Sequence, residues 1–213
     1  MPILISETDV KLERADLLRR VPLPRSVSVD GFLIPPARTP GLHLSGLLRY
    51  VAQKSKITAY INDVAEEDLP IRWMLGQVFE EFAASLFPDM VWQPYECQSP
   101  LIMNCDGISM YDKEVGNGCV LTCSLIREFK FNRAKKYSGA DLLKKKTVWM
   151  WQGMGYCLGY GSNRVQWEVM SVMEWPDPLW TQYLVEFSEK ELEGMQRMID
   201  INRAGAIAEG YCE

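Results

Sequence analysis

A chain of 213 residues, 47% apolar and 24% charged, has enough material for one well-covered core. Its formal charge of −5 excludes a protein that is basic throughout, and no apolar run reaches the roughly 18 residues from which a membrane-spanning helix starts. The short apolar opening MPILIS, followed at once by ETDVKLER, does not read as a secretion leader. Six cysteines without a Cys-x-x-Cys pair, and a single histidine, read as reduced thiols in a cytoplasmic protein that lacks a Cys/His zinc centre.

Periodic leucines among charges predict a short helix over 7–20, and the prolines at 22, 24, 35, 36 and 40 predict an extended connection after it. Helices are expected over about 44–62 and 70–87, the second with Ile71, Leu75, Val78, Phe79, Phe82 and Leu86 as its apolar stripe. Ser45 reads as a helix cap and His43 as a loop or packing histidine. Short strands follow near 91–96, 100–105 and 107–111. A turn at Asn117-Gly118 then leads into a strand over about 118–131. Ser138 and Asp141 predict the start of a helix over 139–160. Strands are expected near 164–174 and 181–187, and Ser188-Glu-Lys-Glu191 is a capping box for a last helix to about 204. The order predicts a single α/β domain over 1–213, a central mixed sheet flanked by helices. Its parts are an N-terminal helical extension (1–43), a core (44–175) and a C-terminal strand and helix (176–213).

The segment 125-LIREFKFN-132 stands out. Side chains two apart on a strand share a face, so Glu128 and Lys130 project into one place. The opposite face, with Cys119, Leu121, Cys123, Leu125, Phe129 and Phe131, reads as core. An acid and an amine so placed are either an ordinary ion pair at a solvated strand end or part of a divalent-cation site. Asp106, in CDGI, is either a turn residue or a second carboxylate for such a site. Gln152 and Tyr156, four apart in 149-WMWQGMGYCLGYG-161, share a face of a helix whose other aromatic residues read as packing.

In this order, 76-GQVFE-80, Asp106, 128-EFK-130 and 152-QGMGY-156 resemble the motifs of the PD-(D/E)XK nuclease superfamily, in its RecB-like branch. That branch holds the nuclease domains of bacterial helicase–nucleases, the lambda-type phage exonucleases and related CRISPR-associated nucleases. The resemblance spans about 45–175 and implies a restriction-endonuclease-like core. It implies that Asp106, Glu128 and the Phe129 carbonyl bind Mg²⁺ or Mn²⁺, that Lys130 is the catalytic lysine, and that Gln152 and Tyr156 face the site. Glu80 would be a further metal ligand, at a position where many relatives carry His; its alternative is a solvent-facing charge. Cys105 stands before Asp106 where the family often has Pro. The cysteine spacing does not match the family's iron–sulfur members, so no iron–sulfur cluster is expected.

Over 127–146, eight Lys and Arg against two acids give a local balance of 8 − 2 = +6 inside an acidic chain. Arg133, Lys135, Lys136, Lys144, Lys145 and Lys146 are therefore candidate phosphate contacts, with Tyr137, Trp149 and Trp151 as candidate base-stacking platforms; the alternative is a solvated loop. The resemblance thus implies a metal-dependent deoxyribonuclease, an exonuclease of recombination or repair in a bacterial or phage setting. Its partners would be DNA and a recombinase, a single-strand annealing protein or a helicase, with homo-oligomers an open question. The rivals are an endonuclease, a non-cutting DNA-binding module of the same fold and a protein-interaction scaffold.

Overall fold

The structure is a computed structural model and describes residues 1–11, 39–57, 69–87, 89–92, 94, 96–98, 101–114, 120–132, 135–171 and 179–212. These form six strands, β1 (Ile3–Val10), β2 (Val91–Trp92), β3 (Gly107–Glu114), β4 (Val120–Asn132), β5 (Arg164–Ser171) and β6 (Leu179–Glu186). Five helices accompany them, α1 (Leu44–Lys54), α2 (Leu69–Ser85), α3 (Gly139–Lys145), α4 (Thr147–Tyr160) and α5 (Glu189–Ala208). The strands make one sheet in the order β1-β6-β5-β4-β3-β2. β4 and β5 run parallel, joined by the α3–α4 crossover, and every other pairing is antiparallel. The architecture is a mixed α/β one, a central six-stranded sheet with helices on its faces. Among the described residues no helix is long and apolar enough to cross a membrane.

Alternation along β4 and β5 feeds two separate cores. Ile126, Val165, Trp167, Val169, Tyr183 and Val185 point to one face, where α1, α4 and α5 close over them. Phe129 and Trp180 point to the other, against Phe79 and Ala83 of α2. Phe79 stands edge-on to both Phe129 and Trp180, at 5.9 and 5.5 Å between ring centres, an arrangement aromatic quadrupoles favour. Both faces of β4 are therefore covered along its second half.

The structure departs from several expectations. Residues 7–10 belong to β1, not to a helix; the rest of the expected N-terminal helix and the proline-rich connection lie outside the described residues. Glu7 and Asp9 were read by helical period. Instead they alternate along an edge strand, where charge is tolerated. α1 stops at Lys54 instead of 62, because Lys56 turns into the left-handed region (φ 54) and Ile57 N–H folds back onto the Ala52 carbonyl. The cap of α1 is His43, not Ser45; His43 is buried and its Nε2 lies 2.7 Å from the Thr39 carbonyl oxygen. Residues 101–105 make only isolated bridges, Ile102 with His43 and Met103 with Cys97. The helix expected over 139–160 is two helices, broken at Lys146 (φ −105, ψ 47).

The β3–β4 hairpin forms, with Glu114 opposite Val120, but its tip at 115–119, including Asn117-Gly118, lies outside the described residues. Leu121 is exposed and Cys123 only half-buried, so the hairpin's distal end is not core. The Ser188–Glu191 capping box is present and opens α5.

Candidate active site

Glu128 lies on β4 opposite Trp167 of β5, on the face under α4, and is 2% exposed. A carboxylate that buried requires donors. Its Oε1 accepts from Lys130 Nζ at 2.7 Å and from Gln152 Nε2 at 2.9 Å. Its Oε2 is buried without a hydrogen-bond partner among the described residues. Strand alternation puts Lys130 on the same face, and its ammonium stands 5.7 Å from the centre of the Trp167 ring. Helix spacing supplies the rest: Gln152 Nε2 also lies 2.8 Å from the hydroxyl of Tyr156, one turn along α4.

Asp106 enters from the bend just before β3. Its Oδ2 accepts the Phe129 N–H at 2.7 Å, where β3 has not yet begun to pair with β4. Gly107 lets the Met90 side chain pack against the turn, where a Cβ would displace its sulfur. Asp106 thus serves in a turn and also stands against the strand that carries Glu128.

The electrostatics tie these groups together. Burial pushes the Asp106 carboxyl well above the usual carboxylate range; Glu128 and then Glu80 push it further, against the pull of Lys130 and the Phe129 N–H. The Tyr156 hydroxyl is raised by burial and then by Glu128 and Asp106, and the Cys105 thiol by burial and the same two acids. Two carboxylates, an ammonium, an amide and a phenol from three parts of the chain therefore share one site.

Glu80 takes a different position. Its Oε1 accepts from Trp92 Nε1 at 2.8 Å, which ties α2 to β2. Among the described residues no group of three or more His, Cys, Asp or Glu is gathered so that it could hold a metal. What the site offers a cation is the unpartnered Oε2 of Glu128 and the adjacent Asp106 carboxylate, hard oxygen donors of the kind Mg²⁺ and Mn²⁺ take, one or two at a time.

The basic run is only partly available to a ligand. Lys135 and Lys144 are exposed, and so is Lys145, which pairs with Asp141 at 2.9 Å. Lys146 stands over the rings of Tyr137 and Trp149, at 4.7 and 4.9 Å. Lys136 bridges Glu7 and Asp9 of β1. Arg133 lies outside the described residues. The expected stacking platforms are packed instead: Trp149 stacks on Trp167 and meets Tyr137 edge-on, and Trp151 lies against the α4–α5 core. Arg127, counted among the positive charges, is turned inward. It donates to Ser109 Oγ at 2.9 Å and to Glu168.

That last contact belongs to a network the sequence did not suggest. Glu168 is fully buried on the α2 face, opposite Phe129. It accepts from Arg127, from Gln166 and Gln182, and from Trp180 Nε1 at 2.8 Å. Alternation along β5 offered a faint signal, since Gln166 and Glu168 share a face of an otherwise apolar strand.

No protein-family model matches the chain, and no curated protein matches it. A solved structure described as "Crystal structure of SSO0001" is similar over 78% of this chain and 78% of its own, with 14% identity and a TM-score of 0.43.

Proposed function

We propose that the chain is a metal-dependent deoxyribonuclease of the PD-(D/E)XK superfamily, in its RecB-like, lambda-type exonuclease branch, built on a restriction-endonuclease-like core. One observation carries this reading. Glu128 is buried with one oxygen fixed by Lys130 and Gln152 and the other left unpartnered, while Asp106 presses on it from the neighbouring turn. Leaving a buried carboxylate oxygen unpaired costs roughly 1–3 kcal/mol. A cation shared with Asp106 removes that cost and the repulsion between the two acids.

In this reading Asp106, Glu128 and the Phe129 carbonyl would hold Mg²⁺ or Mn²⁺, and Glu80, tied to Trp92 at Oε1, would add a further carboxylate. When bound, such a cation lowers the pKa of a water and offsets charge on a phosphoryl group. Lys130 orients the attacking water and offsets negative charge developing on the phosphate. Gln152 fixes Glu128 through Oε1, and Tyr156 fixes Gln152. Lys135, Lys144 and Lys145 supply phosphate contacts that need no sequence readout. The proposed setting is DNA recombination or repair in a bacterial or phage-infected cell, beside a recombinase, an annealing protein or a helicase.

The test is incubation with linear and closed circular DNA in Mg²⁺, Mn²⁺ or EDTA. Metal-dependent loss of linear DNA alone marks an exonuclease, and nicking of circles an endonuclease. DNA binding without cutting supports a second reading, a non-cutting module of the same fold. The hydrogen bond from Trp92 to Glu80 Oε1, which ties one oxygen of a third carboxylate, favours that second reading.

A further inference from the structure

We propose that Lys136 is a phosphate-binding residue whose charge is held in reserve. In the DNA-free protein Glu7 and Asp9 of β1 occupy its ammonium, and a nucleic-acid phosphate draws it away. This rests on the DNA-binding part of the reading above and adds to it a built-in competitor.

The geometry is that of a docked cation. Lys136 Nζ lies 2.9 Å from Glu7 Oε1 and 2.8 Å from Asp9 Oδ1. The backbone positions of the two acids are roughly 6.8 Å apart along the strand, and their carboxylates converge on the one ammonium. They present a lysine with two negative charges, as a phosphate backbone does. All three side chains are in contact with solvent, at 26% exposure for Lys136, 27% for Glu7 and 42% for Asp9. Solvated pairs of this kind contribute little to stability, so a phosphate array exchanges with them readily.

Each acid also has an anchor of its own. Glu7 Oε2 accepts the Gly139 N–H at 2.7 Å, and Asp9 Oδ1 accepts the Thr181 hydroxyl at 2.8 Å. The acids therefore stay on the sheet when the lysine leaves. The position is apt. Glu7 pairs with Tyr183, Tyr183 with Trp167 and Trp167 with Glu128, so these four lie in one row across one sheet face. Asp9, Thr181, Val169 and Lys130 form the next row. The reserve lysine thus sits on the face that carries Glu128 and Lys130, about three strand spacings, or roughly 14 Å, from them.

The test measures binding of the full chain to a fluorescein-labelled duplex oligonucleotide by anisotropy, in EDTA so that nothing is cut, across a range of salt. Glu7→Gln with Asp9→Asn releases Lys136. It is expected to tighten binding about five- to tenfold at 0.1 M salt and to steepen the log–log salt slope by about 0.9, the effect of one more phosphate contact. Glu193→Gln with Asp200→Asn, which makes the same charge change on α5, is expected to give a smaller gain and no change in slope. In a Lys136→Ala background the gain from Glu7→Gln with Asp9→Asn is expected to fall to that of the α5 control, with no change in slope.

A double variant that binds no better than the α5 control, or binds worse, overturns the proposal and makes the cluster a structural staple. A gain above that of the α5 control that survives Lys136→Ala overturns it too. If the double variant does not fold, Asp9→Asn alone carries the same comparison, because its amide oxygen still accepts from Thr181 and Glu7 keeps Gly139. Wild type that binds no DNA even at the lowest salt removes the nuclease reading itself. Wild type that binds while the acid variants change nothing removes only the reserve lysine.

Discussion

Lys130 donates from Nζ to Glu128 Oε1 at 2.7 Å, and the two side chains are 21% and 3% exposed. An ion pair at a solvated strand end has both partners in water; here the acid is sealed under α4 and the amine half-covered. Such a pair is poor evidence for stability, since desolvation opposes its attraction. It is what a site needs that must hold an ammonium beside a carboxylate oxygen. Glu128→Ala and Lys130→Ala are each expected to lower cleavage of end-labelled DNA at least about a hundredfold, roughly 3 kcal/mol of barrier. Activity left intact in both would remove their assignment.

Gln152 reaches Glu128 and Tyr156 with the same amide nitrogen. Tyr156→Phe deletes a hydroxyl from a buried chain and keeps the ring. The expected loss is about 1 kcal/mol of folding stability, the net worth of one hydrogen bond. Turnover should fall several-fold while KM for DNA stays near wild type, because Tyr156 acts through Gln152 and not on the substrate. Urea unfolding and steady-state kinetics on the same preparation check both parts.

Glu168 lies on the far side of the sheet from that chemistry. Burial raises its carboxyl above the usual range, opposed by Arg127, Trp180, Gln166 and Gln182. Glu168→Ala leaves the Arg127 guanidinium and three further donors without their acceptor. The expected destabilisation is about 3–5 kcal/mol, the range for removing one partner of a buried pair. A shift of the urea midpoint at unchanged slope would measure it.

What could be read before folding, and what could not, follows the distance over which the information travels. Glu128 and Lys130 share a face because strand period is local, and Gln152 and Tyr156 meet because helix period is local. The Ser188 capping box lies within four residues. β1 is hard to read from sequence because its partner, β6, lies more than 160 residues away, and the β propensity of Thr8 and Val10 is offset by the acids between and beside them. A similar long separation hides the contacts of Lys136 with Glu7 and Asp9. Read locally, it was one more charge in a basic run. Glu168 escaped notice because its four donors come from three strands.

Acid should loosen the hold of β1 on Lys136. The hydrogen bond from Lys136 holds the Asp9 carboxyl below its usual range; burial opposes it, and Thr181 and the Lys136 charge reinforce it. A carboxyl with a lowered folded pKa contributes stability above its unfolded value, about 3.9, and loses that contribution as pH falls through the folded value. Asp9→Asn should therefore be less stable than wild type at pH 6, and the gap should close below about pH 4. Urea midpoints of the two proteins across pH 2–6 measure this. A gap that widens on acidification contradicts the assigned pairing.

Gly153 sits next to Gln152 on the face of α4 that meets the sheet. A Cβ there would lie 3.0 Å from Trp167 Cζ2, 3.2 Å from Val165 Cγ2 and 3.3 Å from Phe187 Cζ, all in side chains with no room to retreat. On helix propensity alone, Gly→Ala stabilises a helix interior by about 1 kcal/mol. Here the added methyl has to lift α4 from β5, and overpacking of this kind typically costs 1–3 kcal/mol. The net expectation for Gly153→Ala is a destabilisation of about 1 kcal/mol, with a larger proportional loss of turnover as the 2.9 Å contact from Gln152 to Glu128 lengthens. Gly155→Ala is the comparison. Its Cβ would meet only the end of the Leu44 side chain, at 2.6 Å. That is a closer approach, but to a side chain of α1 and not to the sheet that carries the acids. Gly155→Ala is expected to move stability and leave turnover per folded molecule near wild type. Kinetics normalised to the folded fraction separate the two variants, and equal losses in both would mean that the distance from α4 to β4 does not set the rate.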